Sequence, residues 1–297
     1  MHGWRAILHD MEWDDLKTIM ALVRFKTLAG AGAALGVNYT TVSRRIGRAE
    51  KQHGGPLFER LAEGYHPTEA AYAIAEHAAR MEAEENALMR KLQGMQDTVS
   101  GPLSVTAPQL LIAYVVAPVI EKFTQQFPNI ELTVRATNDV LDLSRREADL
   151  AIRISSSPGD DLKGLRLCAQ ETADFALANY AERMSKDPDS VIDWIAYVDH
   201  PDLPKGVKDQ FPNARVRYRF DDMMAIAGAA QAGLGVARMP MFLGRALGLS
   251  QIPALPPQPY ADVWLVGHAD VWPGARMKAF RDILVPFMRR EASRFVS

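Results

Sequence analysis

The chain has 297 residues, 48% of them apolar, with 34 Lys and Arg against 36 Asp and Glu. That length implies two or three units of roughly 100 to 150 residues each, and the near-even balance excludes a chain that binds polyanions over its whole surface. The single cysteine, Cys168, excludes an intramolecular disulfide and a Cys-rich metal site and points to a cytoplasmic setting.

In chain order, a first helix starts at Asp14 or Asp15, either of which can cap it, and carries Leu16, Ile19, Met20 and Val23 at helical spacing. A short small-residue helix follows, with Gly30, Ala31, Gly32, Ala33 and Ala34 allowing close approach and Leu35 as anchor. Gly36 can take the backbone angles that end it. Asn38 is then a good N-cap for a third helix. Its opening residues Tyr39, Thr40, Thr41 and Ser43 are polar, Val42 and Ile46 share its buried face, and Arg44, Arg45 and Arg48 follow on its outer side. This is the pattern of a helix-turn-helix, in which the second helix presents its N-terminal side chains to base edges while surrounding cations neutralise phosphates. Between residues 24 and 60 there are seven basic and two acidic residues, a local charge of +5 on a chain of net charge −2. Beyond Gly54 and Gly55, LFERLAEGYHPT reads as a hairpin with Gly64 near its turn; Arg60, Tyr65 and His66 are either wing contacts to DNA or solvated turn residues.

Five segments in order, DDLKTIMALV, AALGV, TTVSRRI with Glu50 after it, LFER and GYHPTEAA, resemble the winged helix-turn-helix of LysR-type transcriptional regulators. The chain departs from that pattern at Asn38, Tyr39 and Thr40, where the family usually has Ser-Gln-Pro, at Ala49 in place of Leu, and at Ala71 in place of Gly. The resemblance implies double-stranded DNA as partner. The pattern begins at Met11, so the first ten residues read as an extension or a mis-assigned start.

From Thr68 to Gln96 no Gly or Pro intervenes before Gly94, and Ile74, Ala78, Met81, Glu85, Leu88, Leu92 and Met95 recur at spacings of 4, 3, 4, 3, 4 and 3. That is a heptad seam with one charged position. It reads either as an amphipathic helix packed on its own domain or, as the resemblance implies, as a linker pairing with a second subunit in a homodimer or homotetramer.

Ser100, Gly101 and Pro102 mark a boundary, after which strands and helices alternate. LSVTA, IELTVRAT and DLAIRI read as strands, LLIAYVVAPVIEKFTQQF and DVLDLSRRE as helices. LRLCAQ, DFALAN, WIAYVD, VRYRF, LGVARM and DVWLVGH read as further strands, with helices at DMMAIAGAAQA, near 241 to 247, and at PGARMKAFRDILVPFMRREAS. Such repeats imply a parallel sheet. The region is similar to the family's effector-binding domain, a periplasmic-binding-protein-like pair of α/β lobes, most closely at ADLAIRI and GLGVARMP. The fold class expected is therefore α/β with a helix-rich N-terminal winged helix-turn-helix. The division is 1–67 for DNA binding, 68–99 for the linker and 100–297 for the effector domain, with lobe one at 100–162 and 268–297 and lobe two at 163–267.

In such a fold a small polar or anionic effector lies between the lobes, at strand carboxyl ends and helix N-termini. Thr106, Pro108, Gln109, Arg153, Asp221, Asp222 and Met223 are the expected cleft residues, although Asp221 and Asp222 can equally serve as helix caps and Arg153 as a partner of Asp149. No Gly-x-Ser-x-Gly elbow, phosphate loop or His-Glu-x-x-His is present, and the histidines at 2, 9, 53, 66, 77, 200 and 268 lack ligand spacing. No metal, cofactor or catalysis is expected. The longest apolar run, at 110–120, is about half a membrane span, so no membrane association is expected. The competing reading is a small-molecule-binding protein or enzyme with an N-terminal oligomerisation module.

Overall fold

A computed structural model describes residues 11–95, 97–138, 142–157 and 162–297. The chain forms two compact units, divided between Met89 and Arg90. The expected extension at 1–10 lies outside the described residues.

The first unit opens with α1 (Trp13–Phe25), α2 (Leu28–Leu35) and α3 (Tyr39–His53). A hairpin of β1 (Phe58–Leu61) and β2 (Gly64–Pro67) follows, and then the long α4 (Glu69–Gly94). The expected Asp cap is overturned: Glu12 stands at the N-cap of α1 without a side-chain cap bond, and Asp15 is wholly buried. The helix is rotated so that Asp15 and Thr18 go inward beside Ile19 and Leu22, because a cation on α3 meets Asp15 there. Gly36 (φ 66°) ends α2, and Thr27 and Asn38 cap α2 and α3 with their side chains. The core joins Ile19, Leu22, Ala31, Val42, Ile46, Ala49, Leu57, Phe58 and Ala71. Gly64, at φ 131°, lets the hairpin touch the α1–α2 turn, where the Tyr65 amide donates to the Lys26 carbonyl at 2.8 Å.

The second unit is built on β3 (Gly101–Ala107), β4 (Ile130–Ala136), β5 (Leu150–Ser155), β6 (Leu162–Ala176), β7 (Ile192–Tyr197), β8 (Ala214–Phe220), β9 (Val236–Pro240), β10 (Ser250–Gln251) and β11 (Gln258–His268). They form one nine-stranded sheet in the order β4-β3-β5-β11-β6-β9-β7-β8, with β10 paired to β6. Its helices are α5 (Gln109–Leu111), α6 (Ala117–Gln126), α7 (Ala178–Lys186), α8 (Val207–Gln210), α9 (Met223–Gln231), α10 (Met241–Ala246) and α11 (Ala275–Arg290). A π-helical turn, Ile112–Val116, joins α5 to α6.

The sheet is mixed where a parallel one was expected. The flanks β4-β3-β5 and β9-β7-β8 are parallel, but β11 runs antiparallel to β5 and β6, and β6 antiparallel to β9. LRLCAQ and the first three residues of DFALAN, read as separate strands, belong to the single strand β6, and β6 pairs with β11 from Leu162 opposite His268 to Thr172 opposite Gln258. The chain therefore passes between the two halves as a pair of long strands. The helix expected at DVLDLSRRE is not formed in its described part: residues 143–146 are a turn. Asp142 accepts the Ser144 and Arg145 amides, Glu147 accepts the Asp142 amide, and Arg146 sits at φ 62°. Short polar side chains have captured the backbone donors a helix would use. Helix α7, with Tyr180 and Met184 inward, was not anticipated.

One core cluster packs α6 and α11 on the first half of the sheet, where Phe123 and Phe280 meet edge-on with centroids 5.2 Å apart. A second surrounds Trp194, Tyr180, Met184 and Phe211. Gly235 begins the turn into β9 so close to β7 that a Cβ there would lie 2.2 Å from the Asp193 carbonyl oxygen. Gly235→Ala is expected to destabilise the second unit by about 1–3 kcal/mol, the cost of forcing backbone apart in a packed interior, read from the denaturant midpoint of the intact protein.

Candidate DNA-reading face and effector cleft

Helix α3 carries two kinds of arginine. The Arg48 Nε and Nη2 donate to the two Asp15 oxygens at 2.9 and 2.6 Å, and Nη2 also reaches Glu12 at 2.7 Å. The hydrogen bonds to Asp15 hold the Arg48 guanidinium above its ordinary pKa. Arg45 pairs with Asp14 in the same manner. Both therefore fasten α3 to α1. Arg44 is exposed and has no ion pair among the described residues. It shares the outer face with Tyr39, which is 58% exposed, and Thr40, while Thr41 and Ser43 are half-buried beside it. Asn38 Oδ1 accepts the Thr40 amide at 3.0 Å and its hydroxyl at 3.1 Å, so the cap also orients Thr40.

Glu50 holds the hairpin: its Oε1 accepts the Leu57 and Phe58 amides at 3.0 and 3.3 Å. On the hairpin, Arg60 and Tyr65 are cross-strand partners, with the guanidinium 5.4 Å from the ring centre. His66 Nε2 lies 3.5 Å from Glu63. The bracing roles of Asp14, Asp15 and Glu50 were not foreseen; the sequence signal was the pair of acids placed two helices before three arginines.

The heptad seam on α4 divides. Ala78 is buried and Ile74 packs on the core of its own unit. Glu85, the charged position, turns to α1, accepting from Trp13 Nε1 at 2.9 Å and facing Lys17 Nζ at 3.1 Å. Met81, Leu88, Leu92 and Met95 are exposed, as are Tyr72 and Met89.

In the second unit a cleft of about 950 Å³ opens between the halves of the sheet, within the range of small-molecule sites. Thr106, Pro108, Arg153 and Met223 line it. Gln109, Asp221 and Asp222 do not line it, and Asp222 instead caps α9, accepting the Ala225 amide at 3.0 Å. Residues not foreseen on the walls include Asn138, Ser155, Thr172, Trp194, Tyr197, Asp199, His200, Asp202, Arg238 and Tyr260. Arg153 is half-buried; loss of water lowers its pKa, and Asp142 acts in the opposite direction. Arg238 grips Asp174 on the neighbouring strand, with Nε to Oδ1 at 3.2 Å and Nη2 to Oδ2 at 2.5 Å. Burial holds the Asp174 carboxyl above its ordinary pKa, and the Arg238 guanidinium offsets only part of that rise. A charged residue inside each of the apolar segments DFALA and VARMP was the available signal. Among the described residues no group of three or more His, Cys, Asp or Glu side chains is placed to hold a metal ion.

Two family comparisons fit this architecture. Residues 13–72 match the family described as bacterial regulatory helix-turn-helix protein, lysR family, and residues 96–289 match the LysR substrate binding domain. The chain belongs to the LysR family of transcriptional regulators. A LysR-type regulator binds DNA, carries an effector-binding domain and is not an enzyme. An HTH-type transcriptional regulator of Xanthomonas campestris pv. campestris is 31% identical over 175 residues, 59% of this chain and 50% of that protein. The Mau operon transcriptional activator of Paracoccus denitrificans is 25% identical across 78% of this chain and 81% of its own. Among solved structures, the virulence activator AphB of Vibrio cholerae aligns with a TM-score of 0.58 at 17% identity, covering 93% of this chain and 99% of that one. CrgA of Neisseria meningitidis aligns at 0.54 and 18%, covering 93% and 98%. At these identities the likenesses show the fold alone.

Removing the partner of a buried carboxylate is more damaging than removing an exposed cation. Arg48→Ala is expected to lower the thermal midpoint of the regulator, whereas Arg44→Ala stays within about 0.5 kcal/mol of the parent; differential scanning calorimetry separates the two. Cys168 lies in the core, 8% exposed, and burial, with Asp262 adding to it, pushes its thiol up to about 12. At pH 8 the thiolate is then on the order of one molecule in ten thousand. Labelling with a thiol reagent is expected to be negligible in the native protein and complete in denaturant.

Proposed function

We propose that this regulator reads its operator with the outer face of α3, and that a small effector seated between the lobes modulates that binding. The observation that carries the reading is Arg44: it is the exposed α3 arginine with no ion pair among the described residues, while Arg45 and Arg48 are tied to Asp14, Asp15 and Glu12. Asn38, Tyr39, Thr40, Thr41 and Ser43 accompany it at the helix start, where base contacts are made in this motif. Arg45 and Arg48 act by positioning, with solvent-facing atoms still near phosphates. Arg60, Tyr65 and His66 contact the backbone or minor groove from the wing. The domain division proposed is 1–67 for DNA binding, 68–99 for the linker and 100–297 for the effector domain, with the lobes at 100–162 plus 268–297 and at 163–267.

Thr106, Pro108, Arg153 and Met223 are proposed effector contacts, supported by their place on the cleft wall. Arg153 favours an effector that bears an anionic group. Met81, Leu88 and Leu92 on α4, with Met95 just after it, are proposed as the surface that pairs with a second copy, supported by their exposure where the other seam positions Ile74, Ala78 and Glu85 are used internally. Ligand binding shifts the closure of the lobes and so the separation of two DNA-binding units, provided the ligand discriminates between those states. The cytoplasm is the proposed location, as the family implies; no helix among the described residues is long and apolar enough to cross a membrane.

The test is a gel-shift titration against the DNA upstream of the gene, at two salt concentrations and with unrelated DNA as competitor. Retention against competitor is expected, with Arg44→Ala reducing the log–log salt slope by about one and relaxing sequence preference. Loss of all binding at both salts would favour a small-molecule-binding protein instead. Leu88→Asp together with Leu92→Asp is expected to give monomers by sedimentation velocity, and a surviving dimer would remove α4 from the interface.

A further inference from the structure

Strand β9 lies between β6 and β7, and its register sets which side chains share a face. Arg238 stands opposite Asp174 of β6, Pro240 opposite Thr172, and Val236 opposite Trp194 of β7. Side chains two apart leave a strand on the same side. Arg238, Asp174, Thr172 and Trp194 therefore leave one face of the sheet, with Thr172 and Trp194 as diagonal neighbours of Arg238. All but Asp174 line the cleft. Asp174 is wholly buried and accepts from Arg238 Nε and Nη2 with its two oxygens. A guanidinium carries its donors in a fixed planar fork, so this grip occupies one edge and leaves the other, Nη1 with the second Nη2 hydrogen, turned away from Asp174. Nη1 has no acceptor among the described residues, and the Arg238 side chain stays 28% exposed. The half-buried Thr172 hydroxyl also lacks a hydrogen bond among the described residues. The indole N–H of Trp194, a residue only 1% exposed, is buried without an acceptor among them. Buried polar groups are nearly always paired, so three neighbouring cleft residues with idle donors point to an absent acceptor.

We propose that this strip binds the carboxylate of a carboxylic acid with an apolar body, with Arg238 as its bidentate anchor and Thr172 and Trp194 donating beside it. The proposal rests on the cleft being the effector site and adds the class of ligand and the residues that hold its polar end. A carboxylate only accepts, and its two coplanar oxygens match the free edge of a guanidinium with two parallel hydrogen bonds. An amide or an alcohol brings a donor of its own to a strip whose one carboxylate is already occupied by Arg238. Asp199 and Asp202, the acids of the loop after β7, are exposed, where water and salt screen their field. Leu110, Ile152, Met223, Ile226 and Met239 line the same cleft and supply apolar surface for the remainder of the molecule, in the usual mixture of an apolar lining with a few polar anchors.

The experiment uses the full-length protein. Thermal shift and calorimetric titration are run with the straight-chain acids from butanoate to decanoate, with benzoate and with phenylacetate, each beside its primary amide and its alcohol. At least one acid is expected to bind, about tenfold or more tightly than its amide, because charge-assisted bidentate pairing is lost in the amide. Thr172→Val keeps the shape of the side chain and is expected to weaken binding of that acid about fivefold, the worth of one hydrogen bond. The double variant Asp174→Asn, Arg238→Gln removes the buried pair as a whole, which spares the fold an unpartnered charge, and is expected to abolish the preference for acid over amide. Arg238→Lys keeps the charge without the fork and is expected to retain about a tenth of the parent affinity or less. Binding by none of these acids, or a preference for acid over amide that survives the double variant, overturns the proposal. Gel shifts on the same samples separate the two levels. A DNA complex that responds to an amide or alcohol equally in the parent and the double variant keeps the effector reading and overturns the carboxylate site. An acid that binds through Arg238 and leaves the DNA complex unchanged keeps the site and overturns the effector reading.

Discussion

The pairing of β6 with β11 is the constraint on which the second unit depends. These strands lie side by side from Leu162 opposite His268 to Thr172 opposite Gln258, and the ladder carries register shifts between Tyr260 and Val263 and between Val263 and Trp264. Register shifts bend and twist a strand pair. Each half of the sheet grows from this ribbon: β5, β3 and β4 on the β11 side, β9, β7 and β8 on the β6 side. Because the ribbon belongs to both halves, the cleft beside it receives residues from each. Arg153 enters on β5, Tyr260 on β11, Thr172 on β6 and Arg238 on β9. Relative motion of the halves must be absorbed in the ribbon, which gives a two-lobed binder its few degrees of freedom.

In the DNA-binding unit the acids of α1 have a comparable role on a smaller scale. A recognition helix crowded with arginines repels itself and has few apolar residues to hold it down. Val42, Ile46 and Ala49 supply one stripe of contact, and Asp14, Asp15 and Glu12 supply the other. Burying Asp15 is tolerable because Arg48 meets both of its oxygens. The same chemistry that would bind phosphate is thus spent partly within the fold, and which arginines fasten the helix follows from the side of α3 that each occupies. Glu50 and Glu85 repeat the device, one holding the hairpin to α3 and the other holding α4 to α1.

Much of the architecture was legible in the residues. The hairpin at LFERLAEGYHPT, the cap at Asn38, the helix end at Gly36 and the long helix after Thr68 all rest on local signals: turn chemistry, a capping side chain, an uninterrupted helical period. DVLDLSRRE failed as a helix in its described part because Asp142 and Glu147 compete for the same amides, and a hydrophobic period does not register that competition. DFALAN misled in another way: its first residues continue β6 and its last begin α7, a change of state that depends on where β9 and β10 run out. For the cleft, Thr106 and Arg153 could be placed because they lie near the carboxyl ends of strands, whereas Arg238 and Asp199 could not, since their position depends on which strands neighbour β6 and on the path of the loop after β7.

The sequence by itself determined the kind of protein. Segments of helix-turn-helix chemistry in fixed order and an alternating α/β region are local patterns, and local patterns survive in one dimension. Tertiary structure alone decided the division of labour among like residues. Arg44, Arg45 and Arg48 are chemically identical, and only the packing of α3 against α1 makes two of them fasteners. Glu85 interrupts a heptad in the sequence, and only the approach of Trp13 and Lys17 explains it. Asp174 and Arg238 stand 64 residues apart and become one buried pair because β6 and β9 are neighbours. Charge interactions are set by distance and by exclusion of water, and neither is fixed until the chain has closed on itself.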